Sequence, residues 1–233
     1  GDWLKEVLAE AGVNVSNVRR IETPTGHAVI QVDSTGQNSI VISGGANRSI
    51  QGLDRDVAFA LLQPGDWLLL QNEINDIEAV LKEAGDRDVN VAFNVAPVDG
   101  REQNYLLDAV RLLIVNEVEA AALARKTVPD AALDALCSRF PTAHIVLTLG
   151  REGLMHGIGG HREKLVAYRV EAVDETAAGD AFVGYLMAGL LSGEEYTKAL
   201  LLGSAAGALA VTQEGAASSI PEYADVLAIL DSN

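Results

Sequence analysis

Hydrophobic and polar positions change rhythm along the chain. Leu4 to Ala11 carries apolar residues at helical spacing and is closed by Gly12, which predicts a short amphipathic helix. Val13 to Ile21 is expected to be extended. His27 to Asp33 alternates apolar with polar, Ser34 to Asn38 is polar, and Ser39 to Ser43 alternates again, which predicts a β-hairpin. Gly44-Gly-Ala-Asn47 breaks the pattern, Asp54 to Leu62 is helical, and Pro64-Gly65 stops that helix.

From Trp67 the apolar residues gather into short continuous runs separated by helical stretches. Strands are expected at Trp67 to Leu70 (a buried one), Val89 to Phe93, Arg111 to Val115 and His144 to Leu149. Helices are expected at Ile74 to Ala84, Glu117 to Arg125 and Asp130 to Arg139. Leu154 to Ile158 and Lys164 to Val170 read as late strands around the turn Gly157-Ile-Gly-Gly160. Ala178 to Leu191, Glu194 to Thr212 and Glu222 to Leu230 read as closing helices. Strands separated by helices imply a parallel sheet covered on both faces. The expected fold is a three-layer α/β/α sandwich with a mostly parallel sheet, one domain over residues 1–233, with a small β-lid at roughly 13–43.

Composition narrows the function classes. Hydrophobic residues make up 48% and aromatics only 5%, which suits an Ala/Val/Leu-built α/β core. A net charge of −16 argues against nucleic acid, which needs a basic footprint, but not against a nucleotide held by backbone donors and Mg²⁺. The single cysteine, Cys137, forms no internal disulfide and reads as a small core residue of a cytoplasmic protein. No apolar run reaches membrane-spanning length and no signal peptide is read, so no membrane partner is expected. His27, His144, His156 and His161 are scattered, share no ligand spacing with Cys137, and suggest no zinc site. Tyr168, Arg169 and the pair Arg19-Arg20 read as surface or strand-edge residues.

The chemistry concentrates in Asp174-Glu-Thr-Ala-Ala-Gly-Asp180. Ala177, Ala178 and Gly179 have little or no side chain, so a helix starting there offers approachable N–H groups at its positive end. Asp180 beside them suits a general base. An ordinary helix start with Asp in its first turn has the same pattern. Asn116 and Glu119, three apart after a strand, can orient Mg²⁺ waters and phosphate, or form a capping box of the same spacing. Thr148-Leu-Gly-Arg-Glu-Gly153 is either a nucleotide loop or a plain β-turn. In Ala210 to Ser219 a helix ends in a loop with Gly215, whose free carbonyls suit a cation or merely a C-cap. Gln71-Asn-Glu73 and Asn94-Val-Ala-Pro97 end two further strands; the latter reads as a shaped strand end.

Asp174-x-Thr-x-Ala-Gly-Asp180, followed by Phe182 and Gly184, resembles the C-terminal signature of the ribokinase family of sugar kinases. Asn116-x-x-Glu119, Thr148-Leu-Gly-x-x-Gly153 and Gln71-x-Glu73 are similar to further family motifs in the same order. The resemblance implies ATP-dependent phosphorylation of a primary hydroxyl, ribose to ribose 5-phosphate in the first instance. Fructokinase-like, 2-keto-3-deoxygluconate and nucleoside kinases stand as alternatives, and so does a non-catalytic nucleotide-binding or dimerisation module. It implies Asp180 as base, the N–H groups of Ala177 to Asp180 as anion hole, and Asn116 and Glu119 toward Mg²⁺ and phosphate. Thr148, Leu149, Gly150, Arg151, Glu152 and Gly153 would hold ATP, with Ser204 on the adenine side where family members carry Asn or His. Glu73 would reach a sugar hydroxyl. Asp174, Thr176, Ala210, Gln213, Gly215 and Ser219 would surround a monovalent cation, K⁺. A homodimer through the lid is also implied. The family's Gly-Gly-Lys-Gly-type sugar segment has no counterpart here; Gly44-Gly-Ala-Asn47 follows the hairpin and is not that motif. The chain also opens on Gly-Asp-Trp without an initiator Met, so an N-terminally truncated form with an exposed sheet edge is expected.

Overall fold

Alternation at residues 27–43 produces the smaller of two sheets. In the computed structural model, which describes residues 1–32 and 38–231, β1 (His27–Val32) pairs antiparallel with β2 (Asn38–Ser43), His27 opposite Ser43. The polar connection expected at Ser34 to Asn38 lies, apart from Asn38, outside the described residues. Ahead of the hairpin stands α1 (Asp2–Glu10), closed by Gly12 at φ 82°, where a Cβ would be strained. Residues 13–22 form turns and irregular chain rather than the expected extended segment. Arg19 anchors them through a two-pronged ion pair to Asp54, at 2.7 and 2.8 Å, in α2 (Gly52–Leu61).

The larger sheet holds six strands in the order β3 to β8, mostly parallel. They are β3 (Trp67–Gln71), β4 (Asn90–Asn94), β5 (Val110–Asn116), β6 (His144–Thr148), β7 (Leu154–Ile158) and β8 (His161–Leu165). Contacts divide the chain into two compact units, Gly1–Arg111 and Leu112–Asn233.

In the first unit β3 and β4 run parallel, with Gln71 opposite Asn94 at their carboxyl ends. The connecting α3 (Ile77–Asp86) buries Ile77, Val80, Leu81 and Ala84 at helical spacing. It begins three residues later than expected because Asn72 to Asn75 are spent on a turn. The expectation of a buried β3 fails at Leu69, which is 46% exposed: β3 is the end strand of the order and presents that face to solvent. β4 behaves as a central strand, with Val91, Ala92 and Phe93 fully buried.

In the second unit β5 and β6 are parallel, while β7 and β8 return antiparallel. Between β5 and β6 come α4 (Glu117–Ala124) and α5 (Pro129–Arg139), the latter opening on a proline whose missing N–H costs nothing there. The last expected strand, Lys164 to Val170, is β8 instead and ends at Leu165; residues 166–177 cross to α6 (Ala178–Leu191) without regular structure. α6 packs against α7 (Tyr196–Ala210), and α7 against α8 (Tyr223–Asp231). Glycines set the α6–α7 spacing: a Cβ on Gly203 would lie 2.8 Å from the Phe182 carbonyl oxygen, and one on Gly207 3.1 Å from that of Ala178.

Three of the four histidines, scattered in sequence, come together in this unit. His144 Nδ1 lies 2.8 Å from His156 Nε2, and His156 Nδ1 lies 2.7 Å from Glu163. The His144 ring stacks on Tyr196 with centroids 3.5 Å apart, and His161 meets His156 edge-on. Burial and the adjacent His156 push the His144 pKa down to about 4. The signal was positional: antiparallel β6–β7 pairing sets residues twelve apart side by side, which linear spacing hides.

Candidate active site

A cavity of about 570 Å³ opens in the second unit. Its walls come from four segments that the local sequence shapes in different ways. The turn after β6 contributes Thr148, Gly150, Arg151, Gly153 and Leu154. Gly153 at φ 98° and ψ −129° closes that turn, its carbonyl accepting from Leu149 N–H at 2.8 Å. The crossing segment adds Ala167, Tyr168, Arg169, Val170, Ala172 and Glu175. α6 brings Ala178, Gly179 and Phe182. α7 presents Ser204, Gly207, Ala208 and Val211, whose spacing of three and four puts them on one helical face.

At one place in this cavity the wall is the beginning of a helix. Ala177 caps α6 in a left-handed conformation, φ 60° and ψ 3°, uncommon for a residue with a Cβ. The N–H of Gly179, in the first turn, has no helical carbonyl to bond and faces the positive end of the helix dipole. Asp180 follows directly, an exposed carboxylate in that first turn.

Other expected residues are arranged beside the cavity. Asn116 sits opposite Thr148 in the β5–β6 pairing. It and Glu119 form a reciprocal capping box: Asn116 N–H donates to Glu119 Oε2 at 2.8 Å, its Nδ2 to Oε1 at 2.9 Å, and Glu119 N–H to Asn116 Oδ1 at 2.9 Å. Glu119 is only 4% exposed, and burial raises its pKa against the opposing pull of those bonds. Each Glu119 carboxylate oxygen thus accepts one hydrogen bond from Asn116. Leu149 points into the core and Glu152 into solvent.

The segments expected to hold a monovalent cation are joined by Asp174. Its Oδ1 accepts from the Thr176 N–H at 2.9 Å and hydroxyl at 2.6 Å, and its Oδ2 from the Gly215 N–H at 3.1 Å. The Val211 carbonyl, next to Ala210, accepts from Val173 and Asp174 N–H. Ser219 is fully buried with its hydroxyl on the Ala216 carbonyl, while Gln213 is exposed. No cluster of three His, Cys, Asp or Glu ligands occurs among the described residues, so a cation here would rest on carbonyl oxygens and Asp174.

These three bonds, the Thr176 hydroxyl foremost, hold the Asp174 carboxyl below its ordinary value of 3.8. A depressed folded pKa stabilises above the unfolded value and is lost as pH falls through the folded one. Asp174→Asn is therefore expected to lower stability by a constant amount at neutral pH, the gap closing only below about pH 4. Paired thermal melts from neutral to acid pH check this; a gap that widens on acidification contradicts it.

In the first unit, Glu73 occupies an exposed turn at the end of β3. Beneath it Asn72 is fully buried and satisfied: N–H to the Ala96 carbonyl at 2.9 Å, Nδ2 to that of Pro97 at 2.6 Å, and Oδ1 accepting from the Tyr105 hydroxyl at 2.7 Å. Gln71 Nε2 donates to Asn94 Oδ1 at 3.1 Å across the paired strand ends.

The sequence pattern that defines pfkB family carbohydrate kinases matches residues 1–223. The chain belongs to that family. Among curated pfkB relatives it is 32% identical to ribokinase of Haemophilus influenzae, over 99% of this chain and 78% of that protein. A solved ribokinase of Thermotoga maritima superposes with a TM-score of 0.83 at 34% identity, covering 99% of this chain and 77% of that one. Arabidopsis thaliana ribokinase, solved with ribose and ATP, gives 0.75 at 28% identity over 90% and 70% of the respective chains. No described helix is long and apolar enough to cross a membrane.

Sequence reasoning missed several cavity residues. Tyr168 and Arg169, read as surface or strand-edge positions, line the wall, and burial raises the Tyr168 pKa. Glu175 was also missed, and of the α7 face only Ser204 was expected. The spacing of Gly207, Ala208 and Val211 from Ser204 could have signalled the rest of that face.

Proposed function

We propose that this chain transfers the γ-phosphoryl group of ATP to a primary sugar hydroxyl, converting ribose to ribose 5-phosphate. The observation that carries this is the cavity walled at once by the Thr148–Gly153 turn and the first turn of α6. A triphosphate lying there would point its terminal group at the N–H groups that open α6, Gly179 among them, with a carboxylate alongside. Membership of a carbohydrate kinase family, and relatives that include a ribokinase solved with ribose and ATP, support the same reading.

In the reaction, Asp180 takes the proton of the acceptor hydroxyl as its oxygen bonds to the γ-phosphorus. The bond to the β–γ bridging oxygen breaks and ADP departs with that electron pair. The N–H groups at the start of α6 receive the charge on the transferring oxygens. Thr148 and the following turn position the nucleotide, with Ser204 on the α7 wall near the base. Glu73 is the first unit's candidate for a sugar hydroxyl. Asn116 and Glu119 would help hold Mg²⁺, which would supply charge neutralisation. Asp174 and the carbonyls of the 210–219 loop would hold K⁺, which would steady the segment that leads into α6. A homodimer forms through the β1–β2 hairpin, where the paired Val29 and Val41 are both more than half exposed.

The test is ADP release coupled to a reporter reaction, with and without ribose, in Mg²⁺ and K⁺. Ribose-dependent release that falls several-fold when K⁺ is replaced by a bulky organic cation is expected. Turnover with fructose but not ribose would overturn the acceptor assignment, and indifference to K⁺ the cation site.

A further inference from the structure

The cavity mouth carries an ion pair that the reaction itself does not require. Arg151 Nη2 lies 3.5 Å from Glu175 Oε1, with the two side chains 82% and 74% exposed, and both line the cavity. Arg151 stands on the turn between Gly150 and Gly153. Glu175 lies three residues before Ala178, whose N–H its carbonyl accepts at 3.5 Å. The pair therefore sits beside the start of α6, where phosphate would lie.

We propose that Glu175 holds Arg151 across the mouth of the pocket and yields it to the phosphates of an arriving nucleotide, so that Glu175 tunes nucleotide affinity. The inference rests on the reading of this cavity as the MgATP site. An exposed pair of single charges is weak. A polyphosphate offers several charges and paired oxygens that match the guanidinium fork, so exchange is favourable. The exchange leaves Glu175 beside the phosphates as an uncompensated like charge, in a chain that already carries −16. Glu175 thus opposes nucleotide twice, by competing for Arg151 and by repulsion. Arg169, also in the wall, has no hydrogen bond or ion pair among the described residues and needs no exchange.

Calorimetric titration of MgADP, which needs neither sugar nor turnover, tests this on the wild type, Glu175→Gln, Arg151→Gln and the double variant. At low salt Glu175→Gln should tighten binding about three- to tenfold and Arg151→Gln weaken it by a similar factor. The gain from Glu175→Gln should shrink in the Arg151→Gln background and persist in Arg169→Gln, and should fade with added salt. A Glu175→Gln that binds no better, or an equal gain with and without Arg151, overturns the exchange. A wild type that binds no MgADP overturns the nucleotide reading itself, a separate result visible before any variant is made.

Discussion

Asp180→Asn is expected to lower the rate of phosphoryl transfer by about 10²–10⁴-fold, the usual contribution of a positioned general base. The size follows from what remains. The proposed anion hole, the turn after β6 and the α7 wall are untouched, so nucleotide binding is expected to persist. What is lost is a proton acceptor at the moment the sugar oxygen becomes a nucleophile. Asparagine is isosteric and Asp180 is exposed in the first turn of α6, so the fold is expected to survive the change. The expected pattern is an unchanged MgADP affinity and melting temperature with single-turnover transfer nearly abolished. Transfer within a small factor of wild type would remove Asp180 from the role of base.

Gly153→Ala should be the most damaging single methyl in the second unit. At φ 98° and ψ −129° Gly153 occupies backbone space that residues with a Cβ avoid, and the added Cβ would lie 2.0 Å from the Leu165 carbonyl oxygen and 2.7 Å from the Ala167 nitrogen. Those obstacles are main chain, anchored at the end of β8, so no side chain can swing away. A cost on the order of 3 kcal/mol is expected, with a melting temperature lower by roughly 10 °C. Because the displaced residues continue into the wall that carries Tyr168 and Arg169, MgADP binding should fall with it. Gly150 is the internal control. It too has positive φ, 53°, but its Cβ would meet nothing within 4 Å, so Gly150→Ala should cost only about 1 kcal/mol. Equal costs at the two positions, read from parallel calorimetric melts, would remove the backbone clash as the cause.

Much of this architecture is written in hydrophobic periodicity, and the exceptions have physical reasons. The helix over Ala178 to Leu191 was legible to the residue because glycine, small residues and an acidic first turn mark its start and a long apolar run its body. The start of α3 was not, since Asn72 bonds to Ala96, Pro97 and Tyr105, partners that no local pattern names. Leu69 looked buried because an apolar run carries no mark of which strand ends a sheet. At the candidate site the motif residues could be found by spacing, whereas Tyr168, Arg169 and Glu175 lie on irregular chain where spacing says nothing about direction. The His144–His156–Glu163 cluster was hidden for a related reason: it is made by strand pairing.

Gly207 belongs to two surfaces at once. One side of its backbone forms part of the cavity wall, and the missing side chain leaves the Ala178 carbonyl room to sit where it does. A side chain at this position would therefore alter the cavity wall and the α6–α7 contact together. Ser204 and Ala208 line the same wall and already carry a Cβ, so the cavity can be reshaped there while α6 keeps its place.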